Sequence, residues 1–207
     1  MKEYPILMSA PMVRAILEGR KTMTRRTDHK WLKVKKGDRL WAKETFRIKD
    51  FWPGEESNTE SGYECISEAM ATVVYEDGQE KRIEGLVENE GEHGEIDEIT
   101  QAEYFSTKKG NCQAIHMPKW ASRILLEATK DAYLERLQEI SEEDAMSEGI
   151  TREIICNYDI YTTADFPRIR VNRFKDIWDT LHKPNSPKGW NANPEIVVIP
   201  FKVVKGV

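Results

Sequence analysis

Cysteine and histidine are scarce in this chain, and their scarcity excludes several kinds of site. The three cysteines, Cys65, Cys112 and Cys156, lie far apart in the sequence, and none belongs to a CxxC pair. A disulfide framework or a Cys/His zinc site would need closer and more regular spacing. The four histidines are scattered as well. We therefore expect a reduced, cytoplasmic protein that uses no metal or other cofactor.

Long apolar runs and glycine-rich phosphate loops are also missing. No stretch approaches the roughly 20 apolar residues that a membrane-spanning helix requires, and residues 1–5 lack the apolar core of a signal peptide. Gly37 and Gly54 lie outside the sequence context of a P-loop or a dinucleotide-binding turn. Of the 207 residues, 39% are hydrophobic and 32% are charged, which predicts a soluble globular protein with no membrane partner.

The charged residues are distributed unevenly along the chain. Residues 14–49 contain thirteen Lys or Arg and four Asp or Glu, whereas residues 76–103 contain two Lys or Arg and eleven Asp or Glu. The two segments therefore carry net charges of +9 and −9, although the whole chain has a net charge of −5. A basic surface would be local, and the acidic segment could shield it.

The most informative stretch is residues 19–26, with the sequence Gly-Arg-Lys-Thr-Met-Thr-Arg-Arg. No carboxylate lies between Glu18 and Asp28, although a solvated helix face normally alternates carboxylates with its cations. Such a one-sided cluster predicts a site for nucleic acid, a nucleotide or another polar ligand. The alternative interpretations are an exposed basic loop, a basic loop neutralised by acidic segments elsewhere in the chain, and cations attracted to the carbonyls at a helix C-terminus.

Hydrophobic periodicity predicts an α+β fold in which short strands are mixed with short helices. Helices are expected from Ser9 to a stop at Gly19, from Ser141 to Gly149, and over residues 171–181. Ser141 should be the N-cap of the second of these, with Asp144 completing a capping box. The clearest strand candidates are residues 4–8, 39–44, 124–129 and 195–204.

Residues 50–110 differ in composition from the rest of the chain. Near their start they contain Trp52-Pro53-Gly54, they include the whole acidic run, and they carry a hairpin signal at residues 71–78. We interpret this segment as an insertion into a smaller barrel, within a single domain that spans residues 1–207. Residues 85–98 and 151–169 are expected to be irregular.

Several of these pieces together resemble the ASCH domain, a family within the PUA-like superfold. The resemblance covers about residues 1–49, 112–150 and 171–204, and it is to the longer form that is common in phages and prophages. It rests on segments 5–12, 16–26, 37–41, 116–123, 137–150 and 190–194. The resemblance implies a small β-barrel flanked by short helices, with a cleft between barrel and helices.

One branch of the ASCH family hydrolyses the amide of N4-acetylcytidine, using a lysine and a threonine of the Lys-Thr-x-Thr segment and a distant glutamate. Carried over to this chain, the resemblance implies Lys21, Thr24 and Glu148 as catalytic residues. The assignment of Glu148 rests on the register of helix 140–150 and not on an identical motif. Lys21 would take the proton of the Thr24 hydroxyl if burial and the neighbouring arginines lower its pKa. Glu148 would then relay protons.

The cleft should also contain binding residues. Arg20, Arg25 and Arg26 could hold a phosphate or stack on a base, and Trp41 and Trp120 could line the cleft and stack on a base as well. Trp41 and Trp120 could equally fill a core.

Each catalytic candidate also has a structural interpretation. Thr24 could be a turn hydroxyl, Lys21 a helix cap and Glu148 a surface residue. Three neighbouring carboxylates are rivals of Glu148, namely Glu142, Glu143 and Asp144.

The expected function is hydrolysis of an N4-acylated cytidine or a similar modified nucleoside. A PUA-like module that binds RNA without turnover is the main alternative, and a ribonuclease is a third possibility within the family. Binding through several phosphates should weaken steeply with salt, whereas binding of a neutral nucleoside should be nearly indifferent to it.

Overall fold

The computed structural model of the protein describes residues 1–59, 62–86, 97–150 and 168–206. These residues have the mixed α+β structure that the sequence predicts. They divide into two compact units, the first made of Met1–Tyr4, Pro11–Leu40 and Leu125–Gly206, and the second of Pro5–Ala10 and Trp41–Ile124. The second unit is wider than the predicted insertion at residues 50–110, and the assignment of one domain to the whole chain stays a prediction.

The helices and strands are short, apart from the last of each. The α-helices are α1 (Ala10–Leu17), α2 (Glu98–Ser106), α3 (Glu142–Ser147) and α4 (Ile169–Leu181). The strands are β1 (Glu3–Leu7), β2 (Met23–Arg26), β3 (Arg39–Lys43), β4 (Phe46–Trp52), β5 (Glu55–Thr59), β6 (Gly62–Ser67), β7 (Ala69–Tyr75), β8 (Glu80–Leu86), β9 (Ile124–Ala128), β10 (Tyr133–Arg136) and β11 (Glu195–Gly206). None of these helices has the length and apolar character that crossing a membrane requires.

The largest sheet has six strands in the order β1-β3-β9-β11-β10, and β2 also pairs with β11. Closing a barrel would require the two ends of this order, β1 and β10, to pair. They do not pair in the described part of the chain, so the predicted closed barrel is not found there. The long strand β11 instead pairs antiparallel with both β2 and β10 along residues 195–200.

Helix α1 ends as the sequence predicts, at a glycine that turns the chain sharply. Val13, Ala15 and Ile16 are buried on its inner face. Gly19 has a φ of 71°, a conformation that glycine adopts at little cost. The backbone amides of Arg20 and Lys21 both donate to the Ala15 carbonyl at 2.9 Å. The turn therefore leads directly into Lys21.

Helix α3 begins at the predicted capping box. The Ser141 hydroxyl accepts a hydrogen bond from the Asp144 amide at 3.0 Å, and the Asp144 carboxylate accepts one from the Ser141 amide at 3.3 Å. The helix ends at Ser147, and Glu148 follows as its C-cap. The predicted bounds of this helix are confirmed.

Substituting Ser141 by alanine should lower the free energy of unfolding by about 1 kcal/mol, because the first turn of α3 loses its side-chain cap. Urea denaturation measures this change. Ser147→Ala, at the other end of the same helix, is the control and should change stability by less than about 0.5 kcal/mol. Equal losses in the two variants would contradict the capping role.

Helix α4 provides much of the core of the first unit. It begins two residues before the predicted start and ends at the predicted residue, with Phe174 and Trp178 buried. The buried residues packed with them are Leu137, Ile140, Ala145, Ile150, Val171 and Ile196. The Glu142 carboxylate accepts hydrogen bonds from the amides of Arg170 and Val171, at 3.3 and 3.1 Å, and so ties α3 to the start of α4. Trp178 therefore belongs to the core of the first unit.

The second unit has its own sheet and core. Its sheet has the order β4-β7-β8, and β7 and β8 form the predicted hairpin. Its core contains Phe46, Ile48, Ala69, Ala71, Val73, Tyr75, Leu86, Ala102, Met117 and Ala121.

A buried arginine, Arg123, lies within the second unit. Its guanidinium donates two hydrogen bonds to the Glu44 carboxylate, at 2.9 and 2.7 Å, and further bonds to Asp77 and Gln79. It also lies 4.0 Å from the centre of the Tyr75 ring. Because its charge and its donors have partners on several sides, we interpret this network as structural.

Candidate functional site

The candidate site begins where the chain after α1 meets the end of α3. Lys21 and Glu148 form an isolated antiparallel bridge, and the Thr22 amide donates to the Ser147 carbonyl at 2.8 Å. Gly149, with a φ of 95°, permits this approach, because a Cβ at that position would lie 2.8 Å from the Ala15 side chain. Two segments more than a hundred residues apart in sequence are thus joined by their backbones.

The side chains of Lys21 and Glu148 form a buried ion pair. Lys21 Nζ contacts Glu148 Oε2, and the side chains of the two residues are 0% and 6% exposed. Burial lowers the pKa of Lys21, the Glu148 carboxylate opposes this effect, and the positive charges of Arg26 and Arg25 lower the pKa further. The net pKa is below the usual value for lysine, which is the direction that the sequence led us to expect.

Arg25 joins this pair from the other side of the carboxylate. Its Nη1 lies 3.2 Å from Glu148 Oε1, and its Nη2 lies 3.1 Å from Glu135 and 3.4 Å from Asp144. Burial alone would lower the pKa of Arg25, but the three carboxylates have the larger combined effect. The net result is a raised pKa of Arg25. The guanidinium is therefore a permanent charge held by acidic side chains of the protein itself.

Thr24 lies on β2 next to a cavity of about 120 Å³. It pairs with Ile199 of β11, and the residue is 1% exposed. The polar residues that line the cavity are Thr24, Arg25, Arg26, Thr27, Glu148 and His182. The apolar residues that line it are Met12, Phe174, Ile177, Trp178 and Leu181.

The cavity combines a polar side with an aromatic side. The lining residues of β2 and Glu148 are polar, and those of α4 and the following residue are apolar or aromatic. The ring centres of Phe174 and Trp178 lie 5.6 Å apart, and those of Trp178 and His182 lie 4.7 Å apart. Apolar walls with a few placed polar groups are typical of small-molecule sites. Glu148 faces this cavity, and Lys21 contacts Glu148 without belonging to the described lining.

The predicted binding arginines are placed in different surroundings. Arg25 and Arg26 line the cavity, and burial lowers the pKa of Arg26 despite the opposing charge of Glu148. The guanidinium of Arg20 instead pairs with the Glu18 carboxylate and donates to the Gly149 carbonyl at 2.7 Å. Arg20 thus stabilises the turn after α1, and it does not belong to the described lining of the cavity.

The two tryptophans predicted to line a cleft belong to the second unit. Trp120 Nε1 donates to the Gln101 side chain at 3.2 Å, and its ring packs against the core of that unit. The Lys43 ammonium lies 5.4 Å from the centre of the Trp41 ring. Neither tryptophan is part of the described lining of the cavity.

The rival carboxylates near Glu148 have other positions. Glu142 binds the start of α4, Glu143 is exposed, and Asp144 caps α3 and contacts Arg25. Glu148 is the one of these four that contacts Lys21 and lines the cavity. The resemblance therefore pointed to the carboxylate that the fold pairs with Lys21.

Sequence reasoning missed the aromatic side of the cavity and the carboxylate of Glu135. Phe174, Ile177, Trp178 and Leu181 recur at helical spacing within the predicted helix 171–181, and this spacing was the available signal. Neither these residues nor His182 were predicted as site residues. In the described ranges, no three His, Cys, Asp or Glu side chains are grouped as metal ligands.

Comparisons with models of protein families, with curated proteins and with solved structures gave no match for this chain. Membership of the ASCH family therefore stays a prediction that rests on the residues of the sequence itself.

Proposed function

We propose that this chain is an ASCH-type amidohydrolase of PUA-like ancestry that removes the acyl group from an N4-acylated cytidine or a similar modified nucleoside. The observation that carries the proposal is the buried Lys21–Glu148 pair, whose carboxylate lines the same cavity as Thr24. An uncharged amide would meet a hydroxyl nucleophile and a proton-transfer pair in one enclosed place.

The chemistry assigns one role to each of the three side chains. Thr24 Oγ attacks the acyl carbon, and its proton passes to the Lys21–Glu148 pair through the carboxylate that faces the cavity. When the carbon–nitrogen bond breaks, the pair returns this proton to the leaving amino nitrogen of cytosine. Water then hydrolyses the acyl-threonine ester, which releases the carboxylic acid and restores the Thr24 hydroxyl.

The lowered pKa of Lys21 supports this division of roles. A lysine with the usual pKa of about 10.4 would hold its proton at neutral pH and could not accept another. Burial lowers the pKa of Lys21, which is the direction that base catalysis needs, while the Glu148 carboxylate opposes the shift. The desolvated site also strengthens electrostatic interactions with charge that develops during the reaction.

The surroundings of the arginines favour a nucleoside over a nucleic-acid backbone. Arg25 contacts three carboxylates, and Arg20 contacts Glu18. These cations are already compensated inside the protein, so a phosphate would have to compete with the protein's own acidic groups. The rings of Phe174 and Trp178 provide an apolar wall for a base and a short acyl group.

Incubating the purified protein with N4-acetylcytidine and measuring released cytidine by chromatography tests the proposal. We expect release that Lys21→Ala abolishes and that Lys30→Met, an exposed lysine paired with Asp28, leaves unchanged. Because the substrate is neutral, KM should change by less than about twofold between 50 and 200 mM salt.

The RNA-binding alternative gives a different result in the same preparation. It predicts no cytidine release at high protein concentration, together with binding of single-stranded RNA that weakens by orders of magnitude over that salt range. That combination would contradict the proposed hydrolase.

A further inference from the structure

The carboxylate of Glu148 is held at both of its oxygens by cations. Lys21 Nζ contacts Oε2, and Arg25 Nη1 lies 3.2 Å from Oε1. With one cation on each oxygen, rotation of the carboxylate would break at least one contact. The ion pair is therefore a three-membered arrangement of Lys21, Glu148 and Arg25.

The Arg25 guanidinium also contacts groups other than Glu148. Its Nη2 contacts Glu135 at 3.1 Å and Asp144 at 3.4 Å, and its guanidinium carbon lies 6.0 Å from the centre of the Phe174 ring. The Arg25 side chain is 1% exposed, whereas those of Glu135 and Asp144 are 14% and 29% exposed. Acidic groups at the edge of the site thus support the buried arginine, and the arginine supports Glu148.

We propose that Arg25 is a positioning residue that fixes the Glu148 carboxylate against Lys21, and that it does not bind the substrate. This inference rests on the proposed function, since it assigns a role within that site. The planar fork of an arginine suits the task because it can contact Glu148 with one nitrogen and Glu135 with the other. Supporting groups of this kind commonly affect activity by 10–100-fold, as known for residues behind metal ligands.

Arg25 also affects the protonation of Lys21 through its permanent charge. The Arg25 charge lowers the pKa of Lys21, and so does Arg26, while Glu148 raises it. Glu135, Asp144 and Tyr133 are the other titratable groups near Arg25. Removing Arg25 should therefore raise the pKa of Lys21 for two reasons. A repulsive positive charge is lost, and Glu148 no longer shares its carboxylate between Lys21 and Arg25.

Kinetics of Arg25→Met and Arg25→Lys with N4-acetylcytidine separate positioning from substrate binding. We expect kcat to fall about 10–100-fold in Arg25→Met, with KM changed by less than about threefold. Arg25→Lys keeps a charge but loses the fork, so it should recover part of kcat. Arg82→Met, which removes an exposed arginine paired with Glu84, is the control. A large rise in KM with unchanged kcat would overturn the inference in favour of substrate contact.

A second readout does not depend on activity. In protein labelled with ¹³C at the lysine ε-carbons, the Lys21 signal is identified by its loss in Lys21→Met, and its titration is followed by NMR. We expect the titration midpoint to move to higher pH in Arg25→Met and to move less in Glu135→Gln, which leaves the Arg25 charge and its contact with Glu148 in place. An unmoved midpoint in both folded variants would overturn the positioning role.

The two readouts also distinguish failure of the inference from failure of the proposed function. If the wild-type protein releases no cytidine but the Lys21 titration moves as expected, the proposed hydrolysis is wrong and the positioning of Glu148 by Arg25 is supported. If cytidine is released and neither kcat nor the titration responds to Arg25→Met, the inference is wrong and the hydrolase stands.

Discussion

Replacing Thr24 by valine should lower kcat for N4-acetylcytidine hydrolysis by about 10³-fold or more, because the substitution removes the attacking hydroxyl and keeps the shape of the side chain. Thr24 is buried on β2 and lines the cavity, so a methyl group in place of the hydroxyl should not change the wall of the site. Stopped assays with chromatography give kcat, and equilibrium dialysis gives the substrate Kd, which should change by less than about threefold.

Two further variants in the same segment test whether the loss of activity is specific to the Thr24 hydroxyl. Thr24→Ser keeps a hydroxyl and should retain a measurable part of the activity. Thr22→Val changes an exposed threonine whose backbone bond to Ser147 is preserved, and it should leave kcat unchanged. A loss of less than about tenfold in Thr24→Val would show that the nucleophile lies elsewhere, with water activated by the Lys21–Glu148 pair as the first alternative.

The second large effect concerns stability. Lys21→Met should lower the free energy of unfolding by about 3 kcal/mol or more, because it leaves the buried Glu148 carboxylate without its closest counter-charge. Combining it with Glu148→Gln should recover a substantial part of this loss, since the charge that needs a partner is then gone. Urea denaturation of the wild type, both single variants and the double variant measures the coupling.

The pH dependence of the Glu148→Gln variant follows from the same pair. Glu148 raises the pKa of Lys21, so removing its charge lowers that pKa further. The folded variant then binds fewer protons than its unfolded chain up to the ordinary lysine pKa of about 10.4, and its stability rises with pH over that range. The stability lost in Glu148→Gln should therefore become smaller as the pH rises towards that value. A loss independent of pH, or additive losses in the double variant, would contradict the buried pair.

Much of the local structure could be predicted because it depends on neighbouring residues. Gly19 ends α1, Ser141 and Asp144 form the predicted capping box, and the β-branched end of the chain forms β11. The open sheet was not predicted, because strand order depends on pairings such as β2 with β11 that link residues far apart in sequence. The Arg123 network of the second unit was not predicted either, because it also joins residues that are far apart in sequence.

The candidate site shows where charge patterns mislead. A segment without carboxylates predicted a site for an external anion or polar ligand, with neutralisation by distant acidic segments as an alternative. Arg25 contacts Glu135, Asp144 and Glu148, which lie more than a hundred residues later. Local charge counts cannot detect such compensation. Glu148 was distinguished from Glu142, Glu143 and Asp144 only through the family resemblance, and its contact with Lys21 was not predicted.

The most direct test of the central claim is to trap the acyl-enzyme. Wild-type protein is mixed with a slight excess of N4-acetylcytidine and quenched in acid within the first turnover, and its peptides are analysed by mass spectrometry. The account predicts an acetyl group on the peptide that contains Thr24, appearing together with cytidine and absent from Thr24→Val. Cytidine release without acetylation of that peptide at any time, or no release, would contradict the account.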